Sequence, residues 1–296
     1  MNILFLGTSS MLPTKERNPS SILLTYKNEN ILIDCGEGTQ KQLRIKNISP
    51  AKITKLLITH WHGDHVLGIP GLLQSLGAGH YTKTLEIYGP KGTKNYFANM
   101  LRSFIFPIRI KMNINEINSG KFFENNDFEL HSSPMKHNAP CLAYSFTEKS
   151  KRKINLEYTK KFGLTKHPLL GKLQKGKSIV YNGKKIEVNK ATKLVPGKKV
   201  AIVLDTEFNE NAVKFAKSSD LLIAESTYLN EEHKKNEEYK HMTIKDAINL
   251  AKKAKAKQLA LTHFSQRYKD LKDFEKEAKK QFKNVILARD FSEIEL

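Results

Sequence analysis

Apolar residues along the chain follow two periods, of which one is typical of strands and the other of helices. At the N-terminus Ile3 and Phe5 alternate with Leu4 and Leu6, which predicts a strand over residues 2–7. Short apolar stretches of the same kind predict further strands at residues 22–26, 31–33, 56–58, 85–90, 108–110, 128–130, 142–146, 200–204, 221–224, 258–262 and 285–288.

Helical spacing separates several of these strands. After Thr243, a good N-terminal cap, apolar residues recur at positions i, i+3, i+4 and i+7 and predict a helix. Other helices are predicted at residues 40–45, 68–76, 93–104, 156–162, 211–217 and 270–282. Strand hairpins come first, strands and helices follow, and an insert interrupts the series. This order predicts an α/β fold, an αβ/βα four-layer sandwich with two sheets face to face and helices outside.

The length of 296 residues allows one large core, so we expect a single domain over residues 1–296. Two cysteines, Cys35 and Cys141, give no disulfide framework and indicate a reducing compartment. The N-terminus lacks the basic start and cleavage site of a signal peptide, and no apolar stretch is long enough to span a membrane. We therefore expect a cytoplasmic protein with no membrane partner.

The net charge of +20 is concentrated in one part of the chain. Residues 149–199 contain 16 Lys and Arg but only two acidic residues, so they carry +14, and the remaining 245 residues carry +6. A general lysine bias would spread the charge evenly, whereas this concentration indicates an element that binds a polyanion. Because residues 149–197 also show weaker core-forming periodicity than their flanks, we interpret them as a projecting arm.

Ligand-type side chains cluster directly after the predicted strand at residues 56–58. His60 and His62 are two residues apart, so they point the same way on an extended segment. Asp64 and His65 follow after Gly63, where the backbone turns freely. This spacing fits two neighbouring metals better than one. The nitrogen and carboxylate ligands suit zinc, with manganese or iron as alternatives.

Three later residues share a position in the pattern, because His137, Asp205 and His263 each follow a short apolar strand. Ligands at strand ends converge on one rim of a sandwich, and these three complete the number that two metals need. Two metals about 3.5–4 Å apart activate water and stabilise both oxygens of a phosphoryl displacement. Asp205 is our candidate for the bridge between them. Asp34, which follows another strand and precedes glycines, is placed to reach the same rim.

Together these motifs resemble the ribonuclease Z family, the tRNA 3′-processing endonucleases of the metallo-β-lactamase superfamily. The His-x-His-x-Asp-His signature belongs to the superfamily, and the other motifs narrow the resemblance. They cover almost the whole chain and include Pro13-Thr14-Lys15-Glu16-Arg17-Asn18, Thr59-His60-Trp61-His62-Gly63-Asp64-His65, Glu225-Ser226-Thr227, His241-Met242-Thr243 and His263-Phe264-Ser265-Gln266-Arg267-Tyr268.

The resemblance implies two zinc ions per subunit, with manganese as an alternative. It implies a first ion held by His60, His62 and His137. It implies a second ion held by Asp64, His65 and His263, with Asp205 bridging the two.

The resemblance also implies the catalytic roles. Asp64 orients or deprotonates the attacking water, and Asp34 supports the ligands from behind. Glu225 holds His241 so that it protonates the leaving 3′ oxygen. The expected products are a tRNA with a 3′ hydroxyl and a trailer with a 5′ phosphate.

Precursor tRNA is the partner that the resemblance implies, and two basic elements would bind it. Lys15, Arg17 and Asn18 contact the tRNA 3′ end. The arm at residues 149–197 matches the family's exosite, which clasps the tRNA body, and we expect its contacts from Lys166, Lys172, Lys175 and Lys177. Family members form homodimers in which the arm of one subunit reaches toward substrate bound by the other.

The sequence departs from the family at two places. The exosite's Gly-Pro motif appears as His167-Pro168, and Glu207 stands where many relatives carry an arginine that would contact phosphate. His80, His131 and His233 match no motif, and we interpret them as surface or structural residues. The alternatives are another phosphodiesterase or small-molecule hydrolase of the same fold, and a non-catalytic RNA-binding protein.

Overall fold

Strands and helices follow one another along the chain much as the hydrophobic pattern predicts. The structure is a computed structural model that describes residues 1–105, 109–229 and 238–296. Its strands in chain order are β1 (Asn2–Gly7), β2 (Ser9–Ser10), β3 (Ser21–Tyr26), β4 (Glu29–Ile33), β5 (Lys55–Leu57), β6 (Thr84–Gly89), β7 (Lys111–Glu116), β8 (Gly120–Glu124), β9 (Phe128–Met135), β10 (Cys141–Glu148), β11 (Lys151–Ile154), β12 (Ile179–Tyr181), β13 (Lys184–Ile186), β14 (Thr192–Val195), β15 (Lys199–Val203), β16 (Leu221–Glu225), β17 (Leu259–Thr262), β18 (Phe264–Ser265), β19 (Val285–Leu287) and β20 (Glu293–Glu295).

The helices begin and end close to the predicted positions. In chain order they are α1 (Thr39–Ile45), α2 (Gly63–Val66), α3 (Ile69–Ala78), α4 (Thr93–Arg102), α5 (Leu156–Lys160), α6 (Leu169–Gln174), α7 (Val188–Ala191), α8 (Glu210–Ala216), α9 (Ile244–Lys253) and α10 (Lys272–Gln281), with a short 3-10 turn at Pro50–Lys52. Thr243 caps α9 as predicted, because its side chain accepts from the Asp246 amide and Asp246 accepts from the Thr243 amide in return.

Two seven-stranded sheets form the centre of the fold. The first has the order β20-β1-β3-β4-β5-β6-β7, and the second has the order β19-β17-β16-β15-β10-β9-β8. Apolar side chains of both sheets pack together in one core, among them Phe5 and Ile22 of the first sheet and Phe146 and Ile202 of the second. The sheets therefore lie face to face, as the sequence predicts.

Helices cover the outer face of each sheet. α1, α3 and α4 contribute Leu43, Leu72 and Phe97 to a core against the first sheet. α8, α9 and α10 contribute to the matching core against the second sheet. Both faces of β1 are buried, and the strand directs Ile3 into the core between the sheets and Leu4 into the core under the helices. The prediction of an αβ/βα four-layer sandwich is confirmed.

Hydrogen bonds join the two sheets at the ends of β5 and β10. Tyr144 is fully buried, and its hydroxyl donates to the carbonyl of Ile58 at 2.7 Å. The amide of Leu142 donates to the carbonyl of Thr59 at 2.9 Å. Since residues 58 and 59 lead into the histidine cluster, these bonds fix its position relative to the second sheet.

The basic insert lies between β10 and β15, which pair directly with each other. β11 and β14 form a two-stranded sheet at its base, and β12 and β13 form another. Residues 149–197 pack around a small core of their own, made of Leu164, Leu173, Ile179, Ile186 and Ala191. The hydrophobic pattern did not predict this core.

A few local predictions differ from the structure. The strand predicted at residues 108–110 lies partly outside the described residues, and the described strand begins at Lys111. Residues 8–19 include β2, which pairs with β18. The residues after His62 form the short helix α2, and β20 adds an edge strand beside β1. Among the described residues, no helix is both long and apolar enough to cross a membrane.

The bond between the sheets leads to a test of stability. Replacing Tyr144 with Phe removes the hydroxyl and leaves the Ile58 carbonyl without its donor, so we expect unfolding to cost about 1–2 kcal/mol less. Urea denaturation followed by circular dichroism measures this difference. Tyr96→Phe, at a ring that is 48% exposed, is the control and should change stability by less than about 0.5 kcal/mol. Equal midpoints for Tyr144→Phe and wild type would show that the bond is unimportant.

Candidate active site

The predicted ligands lie together at one end of the two sheets. His60, His137, Asp205 and His263 follow β5, β9, β15 and β17, and α2 carries Asp64 and His65. Three site residues at strand ends, Asp34, Asp205 and His263, have left-handed backbone angles, with φ of 57°, 34° and 59°. Such angles are costly for non-glycine residues and persist only where surrounding contacts fix them. The contacts of the site therefore hold these three residues in backbone conformations that they would rarely adopt elsewhere.

The first group of candidate ligands is His60, His62, His137 and Asp205, whose ligand atoms all lie within 4.8 Å of one another. His137 Nε2 lies 3.2 Å from His62 Nδ1. The second group is Asp64, His65 and His263, within the same limit. His65 Nε2 lies 3.3 Å from His263 Nε2. The structure thus brings together all seven residues that the sequence singled out.

Asp205 lies between the two groups and is almost fully buried. Its Oδ2 atom is 3.6 Å from His60 Nε2. Its Oδ1 atom is 3.4 Å from His65 Nε2 and 3.2 Å from His263 Nε2. Burial acts to raise the pKa of Asp205, but the surrounding histidines outweigh it and hold the pKa well below its usual value. One ionised carboxylate therefore presents an oxygen to each group.

The outer nitrogens of the histidines are occupied by hydrogen bonds. His65 Nδ1 donates to Asp34 at 2.6 Å, and His137 Nδ1 donates to the carbonyl of Lys240 at 3.2 Å. His263 Nδ1 lies 2.9 Å from the Thr227 hydroxyl, which itself donates to Glu225. A neutral imidazole that donates through Nδ1 presents a lone pair at Nε2. Because Nδ1 of each of these three rings is held by a hydrogen bond, Nε2 is the nitrogen that each ring can offer to a metal when it is unprotonated.

Two buried atoms show that the cluster fits a cation. Among the described residues, His60 Nε2 and Asp205 Oδ1 are buried polar atoms without a hydrogen-bond partner. Leaving a buried acceptor unsatisfied is costly, and converging acceptors in a site of histidines and carboxylates suit a divalent metal. The cluster and the fold therefore indicate a metal cofactor.

Asp34 supports this cluster from beneath. It is fully buried and accepts from the amide and hydroxyl of Thr59, each at 2.7 Å, as well as from His65. Sequence analysis placed Asp34 correctly near the site but missed Thr59 and Thr227. Both threonines could have been found from the sequence, because Thr59 begins the histidine motif and Thr227 ends the motif that starts at Glu225.

A second pair of carboxylate and histidine lies beside the metal cluster. His241 Nδ1 is 3.1 Å from Glu225 Oε2. Burial opposes protonation of this ring, but the Glu225 carboxylate outweighs it and raises the pKa of His241 to about 9. Glu225 is itself held by the Thr206 amide at 2.6 Å. At neutral pH His241 therefore carries a proton that it can donate.

A cavity of about 630 Å³ opens over the cluster. The candidate site residues that line it are His62, Asp64, His137, Asp205 and His241. Its remaining lining comes from Ser10, Met11, Gly63, Leu67, Asn138, Tyr228, Glu238, Tyr239, Ser265, Gln266 and Arg267. The cluster and the proton donor thus face the same open space.

Comparison with known proteins places this site in a family. The chain is 39% identical over 266 residues to Ribonuclease Z of Nanoarchaeum equitans. The aligned residues cover 90% of this chain and 84% of the relative. The crystal structure of human tRNase Z, short form, matches with a TM-score of 0.74 and 27% identity over 100% of this chain and 99% of that chain. The chain belongs to the ribonuclease Z family. It is therefore an endoribonuclease, an enzyme of the hydrolase class.

Two further matches were found for this ribonuclease Z family member, one to a solved structure and one to a family model. The metallo-β-lactamase fold protein YhfI from Bacillus subtilis matches with a TM-score of 0.72 and 19% identity, over 99% of this chain and 98% of that chain. The family model of the Anti-Pycsar protein Apyc1 matches residues 1–147. That stretch includes the histidine cluster of residues 60–65 and ends before the basic insert.

The loop at residues 8–19 is tied down at several points in this family member. Arg17 is only 7% exposed, and its guanidinium donates to the carbonyls of Ser265 at 3.1 Å and Tyr268 at 2.8 Å. Asn18 Nδ2 donates to the Glu37 carbonyl at 2.6 Å. Direct contact of these two side chains with tRNA stays a prediction, and their bonds within the protein favour an anchoring role.

Asp290 is a further anchor of this loop that sequence analysis missed. Its carboxylate accepts from the Thr8 hydroxyl at 2.7 Å, the Asn18 amide at 2.7 Å and Gln42 Nε2 at 2.9 Å. Burial raises the pKa of Asp290 to about 6, against the effect of these hydrogen bonds. No local pattern around Asp290 could have indicated contacts to residues more than 240 positions away.

The predicted tRNA-binding lysines of the insert, Lys166, Lys172, Lys175 and Lys177, are all exposed. Lys175 also lines a cavity of about 540 Å³ together with Lys151, Arg152 and Lys153, which sequence analysis did not single out. Lys151, Arg152 and Lys153 are consecutive in the sequence, and such a run of basic residues could have indicated them as further phosphate-binding candidates.

The departures from the family motifs have structural partners. Glu207 lies 3.4 Å from Lys136 Nζ, and Pro168 precedes the first turn of α6. His131 pairs with Glu129 at 3.0 Å, and His80 is exposed at the end of α3. His233 lies outside the described residues.

Close backbone packing under α2 leads to a second test. A Cβ atom at Gly36 would lie 2.5 Å from the carbonyl oxygen of Asp64, so Gly36→Ala must displace α2. We expect a stability loss of about 1–3 kcal/mol, measured by urea denaturation, and at least about tenfold weaker binding of a divalent metal ion, measured by titration calorimetry. Gly77→Ala in α3, where the nearest atom would be 3.6 Å away, is the control. Wild-type metal affinity in Gly36→Ala would contradict this interpretation.

Proposed function

We propose that this protein removes the 3′ trailer from precursor tRNA as a zinc-dependent endoribonuclease, leaving a tRNA 3′ hydroxyl and a trailer 5′ phosphate. The observation that carries the proposal is Asp205, whose two carboxylate oxygens face two separate groups of histidines. Family membership supplies the substrate class, since the solved human relative is named a tRNase Z.

The proposal assigns the metal ligands as the sequence predicted them. His60, His62 and His137 would hold one zinc ion, and Asp64, His65 and His263 would hold the other, with Asp205 shared. Two such ions supply Lewis-acid activation of water and neutralise charge on the phosphodiester. Asp34, Thr227 and the Lys240 carbonyl hold His65, His263 and His137 in the orientations this requires.

Asp64 would orient or deprotonate the attacking water. The carboxylate is held in place by the Met11 amide, which donates to Oδ2 at 2.7 Å. Two histidines of the cluster, His65 and His263, lie within 3.5 Å of the same oxygen. The nearby histidines also keep the pKa of Asp64 well below its usual value, although burial opposes them. Asp64 is therefore ionised when the reaction begins.

His241 protonates the 3′ oxygen as it leaves. The raised pKa of His241 keeps the ring protonated at neutral pH. The Glu225 carboxylate accepts a hydrogen bond from Nδ1 and thereby orients the ring. General acids of this kind contribute about 10²- to 10⁴-fold to rate.

Basic residues would bind the tRNA outside the catalytic site. We propose that Lys15 meets the acceptor 3′ end and that residues 149–197, with Lys166, Lys172, Lys175 and Lys177, form an arm that clasps the tRNA body. We propose a single catalytic domain that acts as a cytoplasmic homodimer, with each arm serving substrate bound to the other subunit. The small-molecule hydrolase alternative accounts for neither the insert's charge nor the pair of Glu225 and His241.

Cleavage of a precursor tRNA with a 3′ trailer tests the function directly. We expect a cut at the 3′ end of the acceptor stem that a chelator abolishes and zinc restores. His65→Ala should lower the rate at least about 10³-fold and reduce bound zinc from about two ions per chain, measured by mass spectrometry. His131→Ala, a histidine outside the site, is the matched control. Tight tRNA binding without cleavage would instead support a non-catalytic RNA-binding protein.

Salt dependence separates phosphate contact from anchoring in the loop at residues 8–19. Lys15 is exposed, so Lys15→Ala should lower the slope of log affinity against log salt by about 1. Arg17→Lys keeps the charge but loses the two carbonyl bonds. We therefore expect slower cleavage with an unchanged salt slope, measured by filter binding from about 50 to 200 mM salt. A lower slope for an Arg17→Met variant than for Arg17→Lys would show that Arg17 contacts phosphate.

A further inference from the structure

We propose that Met11, Leu67 and Tyr239 form a subsite that holds a nucleobase next to the scissile phosphate. The proposal rests on the proposed function and deepens it, because it names a contact to the substrate that is neither metal nor phosphate. These three side chains are called the apolar rim below.

The three side chains of the apolar rim are large and apolar, and yet each is well exposed. Met11 is 66% exposed, Leu67 is 62% exposed and Tyr239 is 47% exposed. Three of the eleven exposed large apolar side chains in the described part of the chain therefore line one cavity, the one over the metal cluster. Exposed apolar groups that gather at a cavity are typical of a binding site rather than of ordinary surface.

Met11 is held in a conformation that it would not adopt freely. Its φ of 66° lies in the left-handed region, which is strained for a side chain of this size. Its amide donates to Asp64 Oδ2 at 2.7 Å, and Gln266 Nε2 lies 3.8 Å from its sulfur. These two contacts therefore hold Met11 in its strained conformation at the cavity, where its side chain forms part of the lining and its amide supports Asp64.

The other two rim residues are also tied to the site. Leu67 follows α2 directly, two residues after His65, and its amide bonds to the Gly63 carbonyl. Tyr239 is two residues before His241. A phosphate bound between Asp64 and His241 therefore carries its neighbouring nucleosides into reach of the rim.

The chemistry of the rim suits a flat, partly apolar ligand. A tyrosine ring stacks on a base, and thioether and leucine side chains cover its remaining face. Across the same cavity, the Arg267 guanidinium lies 5.1 Å from the centre of the Tyr228 ring and donates to the Ser265 hydroxyl at 3.1 Å. Stacking of a base on an aromatic ring recognises an unpaired base without selecting its identity.

A cycle of enzyme variants and substrate changes tests the subsite. Met11→Ala, Leu67→Ala and Tyr239→Ala are each assayed on three precursor tRNAs, of which one is intact, one is abasic on the 5′ side of the cut and one is abasic on the 3′ side. On the intact substrate we expect kcat/KM to fall about 5-fold for Met11→Ala and Leu67→Ala and about 10-fold for Tyr239→Ala. On the substrate that lacks the base held by the rim, the fall in kcat/KM caused by each substitution should be less than about 2-fold. The substrate that shows this loss identifies the nucleotide that the rim holds.

Ile45→Ala, at an apolar residue that is 52% exposed on α1, is the control and should behave as wild type on all three substrates. Equal effects of the rim variants on intact and abasic substrates would overturn the subsite. Cleavage of the intact substrate by the wild-type enzyme must be seen in the same assay. Its absence would reject the proposed function, whereas cleavage without coupling would reject the subsite alone.

Discussion

The burial of Asp205 between two groups of histidines is the constraint on which the structure depends. An ionised carboxylate is stable away from water only if charges or donors compensate it. Histidines from the ends of β5 and β17 and from α2 supply that compensation, and they come from both sheets. The two sheets must therefore meet with their strand ends aligned. The hydrogen bond from the Tyr144 hydroxyl to the Ile58 carbonyl joins the two sheets directly beside the histidine cluster.

Two carboxylate and histidine pairs perform opposite tasks in the same network. Asp34 receives a hydrogen bond from His65 and lies beneath it, so the other nitrogen of that ring faces the centre of the cluster. Glu225 holds His241 beside the cavity, where the same kind of pairing leaves a proton to give away. Thr227 links the pair of Glu225 and His241 to the cluster, because its hydroxyl donates to Glu225 and lies 2.9 Å from His263 Nδ1.

Much of the fold follows from local sequence. The alternation of Ile3 to Leu6 predicted β1, and the spacing after Thr243 predicted α9 with its cap. The seven candidate ligands could also be singled out from the sequence, because each stands in the compact cluster at residues 60–65 or follows an apolar strand. Long-range contacts were not predictable. Asp290, the burial of Arg17 and the left-handed backbone of Met11 depend on residues distant in sequence, and no periodicity encodes them. The core of the insert was missed because its elements are too short to show a clear period.

The pairing of β10 with β15 has a consequence for how this protein can change. Thr147 and Lys199 are opposite each other in the ladder although 51 residues, with their own core, separate them along the chain. The insert therefore leaves and re-enters the second sheet at neighbouring points, as a detachable module does. Closing a longer or shorter loop there costs little entropy. Evolution or protein engineering can accordingly exchange the whole module, with its concentrated positive charge, while the strands of the second sheet keep their register.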